Sequence, residues 1–117
     1  MALSQKLLGK RVLVTAGAQG IGLAISRHLL AAGCDVFVHY RSSNAGARQL
    51  ADEAAAMGWR FASASADLTS TEGCDPLVAE AVAFLGGLDI LINLSLIHIS
   101  EPTRLRRNSY AVFCLKK

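Results

Sequence analysis

The sequence predicts an α/β fold, built of strand–helix–strand units around a parallel sheet. Three observations lead to this class. Short β-branched runs alternate with longer alanine-rich stretches of helical period, glycines punctuate the ends of those stretches, and a glycine-rich turn joins the first apolar run to the first helical one.

Each element follows in order. Arg11–Thr15 is a buried-strand candidate, and residues 20–32 form a helix with apolar positions at Ile21, Ala24, Ile25, His28 and Leu29. Gly33 stops that helix where a left-handed cap favours glycine. Asp35–Tyr40 reads as the second strand, Ala45–Met57 as a second helix ended by Gly58, and residues 60–65 as the third strand. Asp75-Pro76 supplies an N-cap and a first-turn proline for a third helix, with Val78, Val82 and Leu85 along one face. Gly86-Gly87 closes it. Residues 88–93, Leu-Asp-Ile-Leu-Ile-Asn, are then a fourth strand.

Composition narrows the class of protein. The chain has 117 residues, 52% hydrophobic and 18% charged, with a mean hydropathy of +0.36. That suits one small domain and opposes intrinsic disorder. Apolar stretches are interrupted every few residues, short of the roughly 20 a membrane-spanning helix needs. The first six residues have no secretory apolar core, so a soluble, cytoplasmic protein with no membrane partner is expected. Cys34, Cys74 and Cys114 are an odd set without a close pair, as for free thiols in a reducing compartment.

The segment Val14-Thr15-Ala16-Gly17-Ala18-Gln19-Gly20-Ile21-Gly22 carries the chemistry. Glycines between a strand and a helix allow a tight turn and close backbone approach to a pyrophosphate, while the N–H groups and positive dipole end of the helix favour the anion. Small residues there also let a helix pack closely on a strand. The flanking strand and helix, with a second strand after them, favour phosphate binding.

This turn resembles the Thr-Gly-x-x-x-Gly-x-Gly pattern of the short-chain dehydrogenase/reductases, matched at residues 15–22. Ala66-Asp67-Leu68-Thr69 is similar to the family's adenine-contacting Asp segment after the third strand. Residues 88–93 are similar to the Leu-Asp-x-Leu-x-Asn that opens its Asn-Asn-Ala-Gly motif. The resemblance implies a Rossmann-like doubly wound parallel sheet, here cut off after the fourth strand, and a dinucleotide cofactor. The residues it assigns to that cofactor are Thr15, Ala16, Gly17, Gln19, Gly20, Ile21, Gly22, Tyr40, Arg41, Ser42, Asp67, Leu68 and Asn93. One departure lies inside the turn, where the family's first glycine falls on Ala16. Alanine at positive φ costs about 1 kcal/mol, so Gly17 is expected to take that role in a slightly shifted turn.

The end of the second strand addresses cofactor choice. An NAD site offers a carboxylate there for the ribose hydroxyls, whereas this chain has Tyr40-Arg41-Ser42-Ser43. Arg41 can pair with a 2′-phosphate through its planar fork, and the serines add hydroxyl donors, which favours NADP over NAD. The alternative is that Arg41 is a solvated loop charge. His39-Tyr40-Arg41-Ser42-Ser43 also resembles reductases of ketoacyl thioesters, pteridines or sugars.

Other polar residues have plainer roles. His28 is expected to be packed or partly exposed, with no second metal ligand at helical spacing, and no metal site is expected. His39 reads as a sheet residue near the adenosine end. Cys34 and Cys74 act as small hydrophobes, Trp59 as packing, and Arg48 with Asp52 as an i, i+4 surface pair.

The family's catalytic machinery comes later in its sequence. A lysine in Tyr-x-x-x-Lys lowers the tyrosine pKa for proton exchange with the substrate oxygen, with a serine and an asparagine assisting. Tyr110 is the only tyrosine beyond Asn93, and Cys114 stands four residues after it, so this chain has no such motif and no catalytic residue is assigned. The resemblance implies a homo-oligomeric parent acting on a small carbonyl or alcohol. A chain ending this way is expected to be inactive, and a non-catalytic nucleotide-binding module is the alternative.

After Asn93 the sequence changes character. Residues 94–104, Leu-Ser-Leu-Ile-His-Ile-Ser-Glu-Pro-Thr-Arg, resemble the translation of a transposase-end sequencing adapter. Residues 109–117 resemble its far end running into poly-A, with a barcode's length between them. The expected organisation is therefore residues 1–93 as the incomplete NAD(P)-binding part and residues 94–117 as a non-native tail. Charge divides at the same place. The net charge is +3 and the pI about 9.0, yet the tail holds five cations against Glu101, leaving seven Lys and Arg against eight Asp and Glu in residues 1–93. A nucleic-acid partner would have to bind through Thr103-Arg104-Leu105-Arg106-Arg107, and none is expected.

Overall fold

Side chains alternate across each strand, and that alternation places the core. The computed structural model describes residues 7–18, 20–42, 44–66, 71–94 and 111–114, with backbone alone for 71–75 and 111–114. Strands β1 (Arg11–Thr15), β2 (Asp35–Tyr40), β3 (Phe61–Ser65), β4 (Ile90–Asn93) and β5 (Ala111–Cys114) form one sheet in the order β3-β2-β1-β4-β5. Every pairing is parallel. Helices α1 (Gly20–Ala31), α2 (Ala45–Met57) and α3 (Thr71–Leu85) connect β1 to β4 in alternation.

Two apolar layers result. Leu13, Phe37 and Leu91 point to one face, where Leu77, Val78, Ala81 and Leu85 of α3 cover them. Val12, Val14, Val36 and Val38 point to the other, beneath Leu30 of α1 and Ala47 and Leu50 of α2. Burial of each Val, Leu or Phe side chain among these contributes about 1.5–3 kcal/mol. Gly33 and Gly58 take positive φ just beyond α1 and α2, as their positions predict, and the Gly58 N–H donates to the Ala54 carbonyl. Arg27 of α1 and Glu53 of α2 pair through two bonds of 2.9 and 3.0 Å.

Four details differ from the sequence expectations. The buried stripe of α1 is Gly22, Ser26 and Leu30, while Ile21 is 66% exposed and His28 is exposed. The start of α1 lies so close to β1 that only small residues fit its inner face, and large apolar residues therefore misplace the stripe. Helix α3 begins at Thr71, with Pro76 inside it. Proline's φ is already helical, but Pro76 gives up the bond to the residue 72 carbonyl and its ring crowds that carbonyl, a cost of about 3 kcal/mol set against the burial of Leu77, Val78, Ala81 and Leu85 in the same helix. Arg48 and Asp52 form no ion pair among the described residues, where the ion pairs are Arg11–Asp89, Arg27–Glu53 and Arg60–Asp35. Finally, the sheet continues past the fourth strand. β5, from residues 111–114, pairs with β4 in the register Ile90↔Ala111 to Asn93↔Cys114. An uncovered strand edge is a template of amides and carbonyls, and Ala-Val-Phe-Cys has residue types suited to extend it.

Candidate functional site

The strand order reverses at β1, which has β2 on one side and β4 on the other. In an open parallel sheet, the crevice at the carboxyl ends of two such strands is where ligands bind. Thr15 and Asn93 face each other across that point. Both are buried, and the Thr15 hydroxyl donates to Asn93 Oδ1 at 2.9 Å while accepting the Leu94 N–H at 2.9 Å. These two predicted site residues thus tie β1 to β4 beneath the crevice.

The turn leaves β1 directly above them. Ala16 itself has φ 55°, the only positive φ at a non-glycine among the described residues, and Gly17 does not take that conformation. The expected shift of the turn onto Gly17 is therefore corrected: alanine carries the strain. Gly17 is needed for space. A Cβ there would lie 2.9 Å from both Ser26 Oγ and Val14 Cγ1. At Gly22 a Cβ would stand 2.2 Å from the Ala16 carbonyl oxygen, a contact between backbones that no rotamer relieves. Gly20 differs again. Its φ is 53° and a Cβ would meet nothing within 4 Å, so it supplies conformation and leaves the helix entrance open. The Ser26 hydroxyl donates to the Gly22 carbonyl at 2.8 Å and lies 3.3 Å from the Gly17 carbonyl, which fastens α1 to the turn.

Two supports escaped the sequence expectations. Gly46, near the start of α2, abuts Ala18, and a Cβ on it would stand 1.8 Å from the Ala18 carbonyl oxygen. A glycine in the first turn of an alanine-rich helix is the one signal that marked it. His39 is 4% exposed, and its Nδ1 accepts the Ala16 N–H at 2.9 Å while Nε2 lies 2.9 Å from the Ala66 carbonyl. Burial lowers the pKa of this imidazole, a shift partly offset by the Ala66 carbonyl.

At the end of β2, Tyr40 is half-buried and Arg41 and Ser42 are exposed. The Tyr40 carbonyl accepts the Ala66 N–H at 3.1 Å, which ties this end to β3. The structure thus gathers Thr15, Ala16, Gly17, Gly20, Ile21, Gly22 and Asn93 around the crevice, with Tyr40, Arg41 and Ser42 at the end of the adjacent strand. Gln19, Ser43, Asp67 and Leu68 lie outside the described residues.

Chemically, the site can receive an anion. The N–H groups in the first turn of α1 have no intrahelical acceptor, and the helix adds the positive end of its dipole, equivalent to about half an elementary charge. Among the described residues no group of three His, Cys, Asp or Glu could hold a metal ion, and no helix is long and apolar enough to cross a membrane. Cys34 is buried, which raises its pKa, and its thiol lies 3.4 Å from the Leu7 carbonyl.

Comparison with known proteins agrees with this geometry. The short chain dehydrogenase family model matches residues 10–107, a match that runs past Asn93. The chain is 35% identical over 97 residues to 3beta-hydroxysteroid dehydrogenase 1 of Eggerthella lenta, covering 83% of this chain and 37% of that protein. It is 35% identical over 98 residues to a hydroxynaphthalene reductase-like protein, Arp2, of Metarhizium robertsii, covering 84% of this chain and 37% of that one. Its fold matches the crystal structure of a short chain dehydrogenase from Burkholderia cenocepacia J2315 in complex with NADP. The TM-score is 0.72 at 38% identity, over 76% of this chain and 36% of that chain. The chain thus spans a little over a third of the length of these relatives.

Proposed function

The chain belongs to the short-chain dehydrogenase family, and from that premise we propose that residues 1–93 are the dinucleotide-binding part of an NAD(P)-dependent oxidoreductase. The observation that carries this is the turn between β1 and α1. Its backbone is held at the sheet's switch point by Gly17 and Gly22, and Gly20 leaves the helix entrance open. A pyrophosphate would lie against the N–H groups there, with Ile21 exposed beside it. The residues present fit the group: the cradle is backbone, and a Cβ at Gly22 would collide with the Ala16 carbonyl on which that backbone is built.

NADP is the favoured cofactor. The exposed Arg41 and Ser42 follow β2 where a carboxylate would select NAD, and the Burkholderia cenocepacia relative was crystallised with NADP. When bound, the nicotinamide supplies hydride to a carbonyl or takes it from an alcohol. In the complete parent this would be the reaction, on a small substrate and in a homo-oligomer. The 117-residue chain has no Tyr-x-x-x-Lys, so it would bind cofactor without turnover.

Calorimetric titration with NADP⁺ and NAD⁺ tests binding and preference together. The expected result is measurable binding with NADP⁺ tighter, and tighter NAD⁺ binding would remove the role given to Arg41. Carbonyl-dependent oxidation of NADPH is expected to be absent from this chain and present in the full-length parent. Residues 94–117 are proposed to be adapter read-through. Their codons decide it: an adapter sequence in the DNA supports the proposal, and an intact genomic locus encoding the tail refutes it.

A further inference from the structure

Two consecutive amides at the start of the turn end on one residue. The Ala16 N–H donates to Nδ1 of His39 at 2.9 Å, and the Gly17 N–H donates to the His39 carbonyl at 3.0 Å. The far side of the same ring reaches the carbonyl of Ala66, just past β3, at 2.9 Å. An amide N–H can only donate and a carbonyl can only accept. Nδ1 therefore carries no proton and Nε2 carries one, so the contacts admit a single form of the ring, the neutral Nε2–H tautomer.

The position of Ala16 matters because the rest of the cradle is built on it. Ala16 holds φ 55° against the intrinsic preference of an L-residue, and its carbonyl oxygen is the atom that Gly22 of α1 abuts. Protonation of the ring would put an N–H against the Ala16 N–H and remove its acceptor inside a buried site. Relief requires Ala16 to move, and Gly22 and the entrance of α1 would move with it.

We propose that His39 is a positioning residue for the dinucleotide turn, its neutral ring clamping Ala16 to the end of β3, so that cofactor affinity falls when the ring is protonated. The proposal rests on the dinucleotide-binding function above. Burial already favours the neutral ring, and no described charge contributes to its shift. Tyr40 and Arg41 follow it on β2, and Glu80 is on the exposed side of α3. Asp67, Glu72, Cys74 and Asp75, between β3 and the middle of α3, have side chains outside the described residues. The sign follows from linkage. A folded-state pKa below the ordinary value of about 6.5 means that the unfolded chain binds the proton more readily, so stability also declines as pH falls below about 6.5.

Two substitutions separate the halves of the clamp. His39→Asn places a side-chain oxygen near the position of Nδ1, so it can accept the Ala16 N–H, cannot titrate and does not reach Ala66. His39→Gln can reach Ala66 and offers Ala16 no acceptor at that position. The full 117-residue chain and both variants are titrated with NADP⁺ from about pH 8 to about pH 5, with circular dichroism at each point and nitrogen-15 spectra of the His39 ring. The asparagine variant carries any pH dependence that belongs to the ligand phosphates, so the ratio of the two affinities isolates the ring.

The expected result is an Nε2–H ring and a wild-type affinity that falls, relative to the asparagine variant, about tenfold per pH unit below the ring's pKa. At about pH 8 the asparagine variant should bind within about threefold of wild type and the glutamine variant at least about tenfold more weakly. An Nδ1–H ring, an affinity ratio that does not change with pH, or equal affinities of the two variants would overturn the role of His39 alone. Absence of NADP⁺ binding by the folded wild type at every pH would overturn the dinucleotide function, and the affinity claim with it.

Discussion

The two ends of the proposed cofactor cradle are built in opposite ways. At the β1 end, every residue from Thr15 to Gly17 is fixed by bonds or by close contact to β2, β4 or α1. At the β2 end, Arg41 and Ser42 stand exposed beyond the Tyr40 carbonyl, which is the point tied to β3. The part that would grip the pyrophosphate, common to all dinucleotides, is rigid backbone. The part that would distinguish one dinucleotide from another is side chain on the surface, where a substitution disturbs little packing. Affinity and selectivity can therefore change independently.

Substitutions should reveal that asymmetry. The largest effect is expected for Gly22→Ala, because its Cβ would lie 2.2 Å from a backbone oxygen that cannot rotate away. Loss of about 3 kcal/mol of stability is expected in urea melts, together with loss of NADP⁺ binding. Wild-type stability in this variant would show that the turn is looser than its contacts imply. Next is Thr15→Val, which keeps shape but removes the hydroxyl joining Asn93 Oδ1 and the Leu94 N–H. About 2 kcal/mol should be lost, the cost of leaving buried polar groups without that partner.

At the other end, Arg41→Asp is expected to leave stability within about 0.5 kcal/mol of wild type. It should weaken NADP⁺ about tenfold or more while NAD⁺ binding holds or improves, as a lost charge-assisted pair predicts. Parallel calorimetric titrations read this, and an equal loss of both dinucleotides would break the division of labour between the two ends. The smallest effect is expected for Ala16→Gly. Relief of the left-handed alanine should raise stability by up to about 1 kcal/mol, reduced by the greater freedom of glycine in the unfolded chain. A rise in melting temperature with unchanged affinity would show that the strain is borne by the turn without serving binding.

Most of the sheet was legible because its signals are local. β1 and β2 have the predicted limits, α2 runs from Ala45 to Met57 as its period requires, and Gly58 caps it in the left-handed conformation. The β1 turn was legible as well, from the order strand, glycines, helix. What escaped are features fixed by neighbours distant in sequence. Nothing adjacent to His39 indicates that its ring spans from Ala16 to Ala66, and nothing adjacent to Gly46 indicates that the Ala18 carbonyl presses on it. Ile21 is in register with the apolar positions read from the sequence and is exposed, while the buried stripe is Gly22, Ser26 and Leu30. Large side chains mark a buried stripe only where helix and sheet stand far enough apart to admit them.

The sequence by itself determined the class, the alternation of elements and the chemical character of the two cofactor ends, because hydrophobic period, glycine punctuation and the presence or absence of a carboxylate are properties of the chain. Tertiary structure alone decided which residue bears the positive φ, which histidine tautomer the core accepts, and that residues 111–114 extend the sheet beside β4. Each of these depends on a group brought near by the fold. Ala16 rather than Gly17 carries the strain because β2 presents an acceptor to its N–H, and packing against Val14 and Ser26 leaves Gly17 needed for its lack of a side chain.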